Sequence, residues 1–333
     1  MKCQSIWLLF YKPGKAWMKV CRITEKSIFF LFILFVLLPA GCDRSSHKIQ
    51  AEKKIGMVLD IGGDRDHGYN EYSLIGAKKA AEKAGIAFEY IVTTTRDDYD
   101  KNIRTLVEKG ADLIFTIGFT QADATEKAAR RYPDRHFAIL DFAYSPGMGC
   151  PETVADCYTP EGGLDNVTSI VFKEDQPAFL GGVLAACMSE SQTIGIIAGE
   201  KIPPVTRLVY GFINGARSIN EGIDIKIEYI ENFNDPDQGY KVARSFFKKG
   251  VDVLFCPAGK TGLGGLRAAA EFNVKALGVD VDQYLTVPEA RKVLITSVMK
   301  NVDVAAGTIV QKYAAGSLKA GINAFDLKSH GVG

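Results

Sequence analysis

The segment DDYDKNIRTLVEKGADLIFTIG, residues 97–118, aligns without gaps on DQGYKVARSFFKKGVDVLFCPA, residues 237–258. Seven of the 22 aligned positions are identical, among them Gly110/Gly250 and Asp112/Asp252, and most of the others exchange one apolar residue for another. In the second copy apolar residues recur with the spacing of one helix face and lead into a short apolar run, which predicts a helix followed by a buried strand. The repeat predicts two α/β lobes of similar construction; chance similarity between ordinary helix–strand units is the alternative.

The same alternation continues on both sides of the repeat, from residue 55 onward. Short apolar runs, many of them rich in β-branched residues, are separated by segments with helical periodicity. Such runs predict parallel strands that helices cover on both faces. The expected fold class is therefore α/β, with two doubly wound parallel-sheet lobes joined by a hinge. The predicted strands are residues 55–61, 88–92, 112–118, 136–142, 167–172, 193–199, 225–230, 251–256, 275–280 and 294–299.

Three acidic residues, Asp60, Asp141 and Asp280, each stand at the end of a predicted strand. Asp141 ends ILD and Asp280 ends GVD, one strand beyond each copy of the repeat. Ligands of doubly wound sheets bind beyond the carboxyl ends of the strands. Two lobes facing each other across a hinge would bring these three carboxylates to a shared cleft.

The N-terminus has the features of an export signal. Lys19, Arg22 and Lys26 precede the apolar run IFFLFILFVLL, residues 28–38, which is short for a membrane span and is followed by PAGC. LPAGC is similar to the bacterial lipobox, which implies lipidation of Cys42; an uncleaved anchor with a buried cysteine is the alternative. We expect a signal peptide over residues 1–41, with Met18 as an alternative start, and a lipidated tether over residues 42–54.

The remainder of the chain is mildly acidic. Residues 1–41 hold six Lys and Arg against one acid, and the other 34 basic and 38 acidic residues give a net charge of −4. A body of this charge has no general attraction to nucleic acid. After export, Cys150 and Cys157 lie close enough along one loop to form a disulfide, and two free thiols are the alternative.

Motifs for catalysis and for metal or cofactor binding are weak. The segment GKTGLGG, residues 259–265, lacks the first glycine of a phosphate loop, and GDRDHGYN does not fit a calcium loop. The four histidines show no metal-ligand spacing, and no G-x-S-x-G motif is present. The sequence therefore predicts no catalytic residue, no metal and no cofactor.

Seven segments, in chain order, resemble the basic membrane protein family, close to its purine nucleoside receptor branch. They are VLDIGGDRDHGYNEYSLIGAKKA, FKEDQPAFLGGVLAA, PPVTRLVYGFING, FNDPDQG, GKTGLGGLRAA, GVDVDQY and TSVMKNVD, within residues 55 to about 313. The family consists of lipid-anchored substrate-binding proteins of ABC importers. The resemblance implies a type I periplasmic-binding-protein fold, similar to that of ribose-binding proteins, and a nucleoside ligand.

The resemblance also implies a role for individual residues. Asp60, Gly259, Asp280 and Lys300 would contact the ribose, and Tyr69 and Phe233 would clamp the base. Asn70 and Asp141 would bind the polar edge of the base, although a helix N-cap is the stronger local interpretation of Asn70. The chain departs from the family's usual Ser-Phe-Asn-Gln by reading Gly68-Tyr69-Asn70-Glu71. A buried tyrosine hydroxyl needs a partner, so this departure bears on specificity for purines.

These features together predict a membrane-anchored, monomeric binding protein facing the periplasm or the extracellular side. It would capture a nucleoside, a purine by the resemblance, and deliver it to an ABC permease. The first lobe is expected over residues 55–172, with a return of the chain around 283–300, and the second over 173–282, with 301–330 packing near the hinge. Crossings between the lobes are expected near 172–174, 281–284 and 297–301. Alternatives are a ligand-sensing regulatory lipoprotein with the same pocket and, with less support, a nucleoside hydrolase.

Overall fold

A computed structural model of the chain describes residues 53–333, in which strands and helices alternate. The predicted signal peptide, Met18 and Cys42 lie outside the described residues. The strands are β1 (Lys54–Leu59), β2 (Ala87–Val92), β3 (Leu113–Thr116), β4 (His136–Leu140), β5 (Ser145–Pro146), β6 (Gly149–Cys150), β7 (Val167–Phe172), β8 (Thr193–Ala198), β9 (Asp224–Tyr229), β10 (Val253–Phe255), β11 (Lys275–Asp280), β12 (Leu294–Met299) and β13 (Gly321–Phe325). The helices are α1 (Tyr69–Ala84), α2 (Tyr99–Glu108), α3 (Ala122–Arg131), α4 (Asp175–Met188), α5 (Pro203–Ile219), α6 (Pro236–Phe247), α7 (Gly259–Phe272), α8 (Gln283–Thr286) and α9 (Val302–Ala314).

The strands form two large parallel sheets, which confirms the predicted fold class. The sheet of the first lobe has the order β13-β7-β4-β3-β1-β2, and the sheet of the second lobe has the order β12-β11-β10-β8-β9. In each lobe the second strand lies at one edge, and the first strand separates it from the third. This is the doubly wound order whose switch point, between the first and third strands, forms a ligand crevice.

The internal repeat has the same local structure in both lobes. Gly110 and Gly250, which end α2 and α6, have φ values of 86° and 89°. A positive φ of this kind costs glycine little, so the chain can leave the helix there without strain. Asp112 then donates its backbone N–H to Lys54 in the first lobe, and Asp252 donates to Thr193 in the second. Each repeat therefore delivers its third strand to the same side of the first strand.

Each sheet is covered by helices on both faces, as the continuous apolar strands require. In the first lobe α1 and α9 pack on one face, where Met57 and Phe115 are fully buried, and α2 and α3 pack on the other. In the second lobe α4 and α5 cover one face, with Phe212 stacked on Phe255, and α6 and α7 cover the other.

The path of the chain between the lobes differs from the expected one in three respects. β12, residues 294–299, pairs with β11, so the chain stays in the second lobe until Met299 and returns only at residues 300–301. Residues 281–284 connect two strands of the same sheet and are not a crossing. Residues 301–330 are also part of the first lobe, because α9 packs in its core and β13 pairs with β7.

The C-terminal residues, in place of residues 281–284, form the third contact between the two lobes. After β13 the chain runs beside the second crossing, where Gly333 exchanges two backbone hydrogen bonds with Met299. Leu327 donates its N–H to the side chain of Gln176 on α4. The segments 172–174, 299–301 and 326–333 therefore lie together at the junction of the lobes.

A disulfide joins Cys150 and Cys157 in the loop between β4 and β7, and it resolves the alternatives that the sequence leaves open there. Both cysteines are buried beside Phe142 and Tyr144 in the outer core of the first lobe. No helix between residues 53 and 333 combines the length and the apolar content that crossing a bilayer requires.

Glycines set the close packing of α4 on α5. A Cβ atom built on Gly215 would overlap the carbonyl oxygen of Phe179, and one built on Gly182 would overlap the carbonyl oxygen of Phe212. The two helix backbones can approach this closely only because neither position carries a side chain.

Gly215→Ala is therefore expected to lower the free energy of unfolding by about 1–3 kcal/mol, because α4 and α5 must separate to admit the methyl group. Urea denaturation of the purified protein measures the change. The control is Gly222→Ala, where the nearest contact of an added Cβ is the side chain of Asn220 at 3.6 Å. Equal stability of the two variants would contradict the packing argument.

Candidate functional site

A cavity lies between the lobes, at the carboxyl ends of both sheets. Its empty space, with the open mouth included, is about 740 Å³. Residues of the first lobe, of the second lobe and of the second crossing all contribute to its wall. The eight predicted ligand-binding residues line it together: Asp60, Tyr69, Asn70, Asp141, Phe233, Gly259, Asp280 and Lys300.

Asp60 follows β1 and is held by the protein on several sides. Its Oδ1 accepts hydrogen bonds from the Tyr99 hydroxyl and from the backbone N–H of Ile61, and its Oδ2 accepts from the Thr120 hydroxyl at 3.0 Å. A carboxylate offers about four acceptor positions. Asp60 is thus fixed in orientation and still has acceptor capacity directed at the cavity.

Asn70 connects the end of β1 to the start of α1. Its Oδ1 accepts from the backbone N–H of Asp60 at 2.8 Å, and its Nδ2 donates to Asp66 at 2.9 Å. Asp66 in turn accepts from the backbone N–H groups of Gly68, Asn70 and Glu71, and so satisfies the otherwise free donors at the start of α1. Asp66, and not Asn70, therefore caps the helix, and Asn70 retains one amide hydrogen and one lone pair.

Asp141 and Asp280 occupy equivalent positions at the ends of β4 and β11. Their φ values are 68° and 64°, in the left-handed region that few residues other than glycine, asparagine and aspartate adopt. The sequence match between ILD and GVD therefore extends to the backbone. In both lobes this turn directs a carboxylate into the cavity.

Lys300 is the central charge of the site. Its Nζ donates to Asp141 Oδ2 at 2.7 Å and lies 3.5 Å from Glu174 Oε1, and its side chain is only 5% exposed. Burial by itself would lower the pKa of Lys300, but the negative charges of Asp141, Glu174 and Asp280 outweigh it and raise the pKa above its usual value. The ammonium therefore stays charged inside the protein.

Glu174 extends this network away from the cavity. Its carboxylate is fully buried and accepts two hydrogen bonds from Arg207 of α5, at 2.6 and 3.3 Å. Lys300 and Arg207 together face the carboxylates of Asp141, Glu174 and Asp280, which leaves one negative charge in excess. Burial raises the pKa of Asp280 to about 6, although the charge of Lys300 opposes the shift.

Tyr69 carries an unusual combination of contacts. The Lys300 ammonium lies 5.0 Å from the centre of its ring, a cation–π contact that occupies one side of the ring. Its hydroxyl is buried and has no hydrogen-bond partner among residues 53–333. Burial, then the charge of Asp141 and close contact with its carboxylate, raise the pKa of Tyr69, so the hydroxyl keeps its proton. The hydroxyl and the carboxylate are therefore neighbours, although no hydrogen bond joins them.

The wall of the second lobe is more apolar. The Phe233 ring packs directly on the backbone of Gly199, where a Cβ atom would overlap it. Gly259, with a φ of 55°, begins α7, and it lines the cavity with Lys260. Side chains from the start of α5 complete this wall: Ile202, Pro204, Val205 and Leu208.

An ion pair connects the two lobes outside the cavity. Arg96, in the connection between β2 and α2, pairs with Glu200, which follows β8. The Arg96 side chain is half exposed, so the pair contributes little to stability on its own. It does show that the two lobes are in direct contact in this conformation.

Several residues of the site were not singled out in the sequence. Asp66 has a partial signal, since an acid shortly before a helical segment can accept from the free N–H groups of its first turn. Glu174, Arg207, Tyr99 and Thr120 have none, because their roles depend on contacts between distant parts of the chain. Among residues 53–333 no group of three or more potential ligands could hold a metal ion.

Lys300→Met is expected to lower the free energy of unfolding by about 3–5 kcal/mol, because it leaves buried carboxylates without their cation. Urea denaturation at pH 7 measures the loss. Lys328→Met, at an exposed position, serves as the control and should change stability by less than about 0.5 kcal/mol. A stable Lys300→Met protein would show that the network does not depend on this charge.

Known proteins resemble this chain over most of its length. The model of the Bmp family, described as PnrA-like ABC transporter substrate-binding proteins, matches residues 53–333. A lipoprotein of Pyrococcus abyssi is 30% identical over 90% of this chain and 74% of its own length. The ABC transporter nucleoside-binding protein BmpA of Lactococcus lactis is 29% identical over 89% of this chain and 87% of its own.

The solved structure of an ABC transporter solute-binding protein from Aeropyrum pernix superposes with a TM-score of 0.75 and 27% identity. The match covers 84% of this chain and 76% of that one. The resemblance on which the predicted site rests is confirmed by these matches. The chain belongs to the Bmp family of PnrA-like ABC transporter substrate-binding proteins.

Proposed function

We propose that the protein is a membrane-anchored receptor that encloses a purine nucleoside between its two lobes and delivers it to an ABC importer. The observation that carries the proposal is the cavity itself, because both lobes and the second crossing contribute polar groups to one enclosed space. The name of the Lactococcus lactis relative, a nucleoside-binding protein, supports the class of ligand.

The polar groups of the cavity suit a sugar with neighbouring hydroxyls. Asp60 and Asp280 are strand-end carboxylates that accept hydrogen bonds and donate none when ionised. A ribose presents two adjacent hydroxyl groups that each donate. Gly259, at the start of α7, lets the chain approach the ligand closely because it has no side chain. These residues form the proposed ribose subsite.

The aromatic residues suit a flat ring. Tyr69 comes from the first lobe and Phe233 from the second, so a base between them would be held by both. Stacking of a base on an aromatic ring contributes about 1–3 kcal/mol per contact. Asp141 contributes an acceptor at the edge of the base, and Asn70 contributes its remaining amide hydrogen.

Binding would favour the closed arrangement of the lobes. A ligand that contacts both lobes stabilises only the conformation in which both are within reach, so it shifts the population toward closure. The Arg96–Glu200 pair would add a contact of the closed form. Lipidation of Cys42, supported by the lipobox pattern and by the lipoprotein among the relatives, would hold the receptor at the membrane beside its permease.

Thermal unfolding in the presence of nucleosides, free bases and ribose tests the ligand class. A nucleoside at 100 times its dissociation constant should add about 2.7 kcal/mol to the stability of the folded protein. Tyr69→Ala and Phe233→Ala should each weaken binding by about tenfold or more, because a stacking surface is lost. Tyr210→Ala removes an exposed ring outside the cavity and is the control. A shift with ribose alone, or none at all, would contradict the proposal.

The affinity for the nucleoside should depend on pH through Asp280, whose pKa is about 6. Only the ionised carboxylate accepts from both ribose hydroxyls, so the affinity should be constant above pH 7 and fall by about tenfold toward pH 5. Titration calorimetry between pH 5 and 8 measures this. Asp280→Asn should bind more weakly at pH 7 and vary little over the same range. A pH-dependence that survives in Asp280→Asn would assign the titration to another group.

A further inference from the structure

Two buried polar atoms in the wall of the cavity have no hydrogen-bond partner in the protein. Four such side-chain atoms occur among residues 53–333, and only the Tyr69 hydroxyl and Asp141 Oδ1 belong to residues that line the cavity. Buried polar groups without partners are rare in folded proteins, since each costs the free energy of its lost hydration. The two atoms belong to neighbouring groups at one place in the cavity wall, so a single ligand there can satisfy both.

The chemistry of each atom restricts that ligand. Asp141 is only 7% exposed, and its Oδ2 accepts a hydrogen bond from the Lys300 ammonium, so Oδ1 is the free acceptor of this carboxylate. The Tyr69 hydroxyl keeps its proton beside this negative charge and is therefore available as a donor. The ligand must present a donor to Asp141 and an acceptor to Tyr69, close to each other on the same edge.

We propose that the Tyr69 hydroxyl is a specificity determinant that donates to a ring carbonyl, while Asp141 Oδ1 accepts from the adjacent ring N–H. This inference rests on the proposed function and adds the class of base. The N–H and C=O of a lactam are a stronger donor and a stronger acceptor than the amino group and ring nitrogen of an adenine-type edge. The site therefore favours 6-oxopurine nucleosides, such as inosine and guanosine, over adenosine.

Lys300 fixes the positions of the two residues that would select the base, Tyr69 and Asp141. The ammonium contacts Asp141 Oδ2 and also lies over the Tyr69 ring, so both side chains are held against one fixed charge. Neither the donor nor the acceptor can turn away from the cavity without breaking a contact with Lys300. A ligand edge that lacks the donor or the acceptor would leave a buried atom unpaired, which is the usual basis of strong discrimination between similar ligands. Adenosine has both groups, so its discrimination depends on their weaker hydrogen bonds alone.

The test compares Tyr69→Phe with the unaltered protein in titrations with inosine, adenosine and purine riboside, which lacks the carbonyl. Tyr69→Phe keeps the ring and removes only the hydroxyl. Inosine should bind about tenfold or more weakly to this variant, because its carbonyl is left unpaired, while purine riboside should change by less than about twofold. Tyr72→Phe, one turn further along α1 and outside the cavity, is the matched control.

The outcomes separate this inference from the proposed function. If the unaltered protein binds inosine and Tyr69→Phe binds it equally well, the inference is overturned and the nucleoside receptor stands. An equal loss for all three ligands would assign the hydroxyl a structural role and would also overturn it, as would tighter binding of adenosine than of inosine. If the unaltered protein binds no nucleoside at all, the proposed function fails and the inference fails with it.

Discussion

The burial of one ammonium group organises the centre of this protein. Lys300 lies at the second crossing between the lobes, and the charge it carries must be compensated, because an unpaired charge is very costly in the interior. Its compensation comes from separate parts of the fold: Asp141 at the end of β4 and Glu174 at the first crossing. Arg207 then fixes Glu174 from α5. The junction of the lobes and the proposed ligand site therefore share one electrostatic centre.

Most of the fold could be predicted because each strand and helix has a recognisable pattern within its own short segment of sequence. Each of the ten predicted strands overlaps a strand of the two large sheets, since buried parallel strands are continuous apolar runs. β13 was missed because GINAF is a short edge strand with alternating burial, and it follows a helix that the pattern alone does not assign to either lobe. The crossing expected at 281–284 was wrong for a related reason: a loop within a sheet and a loop between sheets have similar composition.

The candidate site, like the fold, could be predicted only in part from the sequence. The strand-end acids and the two aromatic residues could be named from the sequence, because their position follows from the topology and from the family resemblance. The residues that hold these side chains in place could not be predicted from the sequence. The contacts of Lys300 with Asp141, and of Glu174 with Arg207, join residues 159 and 33 positions apart. For Asn70 the residue was found, but its contacts with Asp60 and Asp66 show that much of its hydrogen-bonding capacity supports the protein itself.

The left-handed turns at Asp141 and Asp280 limit how this pocket can diversify. At φ values of 68° and 64°, only glycine, asparagine and aspartate are accommodated at small conformational cost. Glycine would remove the polar group and asparagine would reverse half of its hydrogen-bonding character, so the backbone itself restricts the side chains available there. Tyr69 and Phe233 are under no such restriction. A related receptor that acquires a new ligand can therefore vary its aromatic walls far more freely than the two acids at its strand ends.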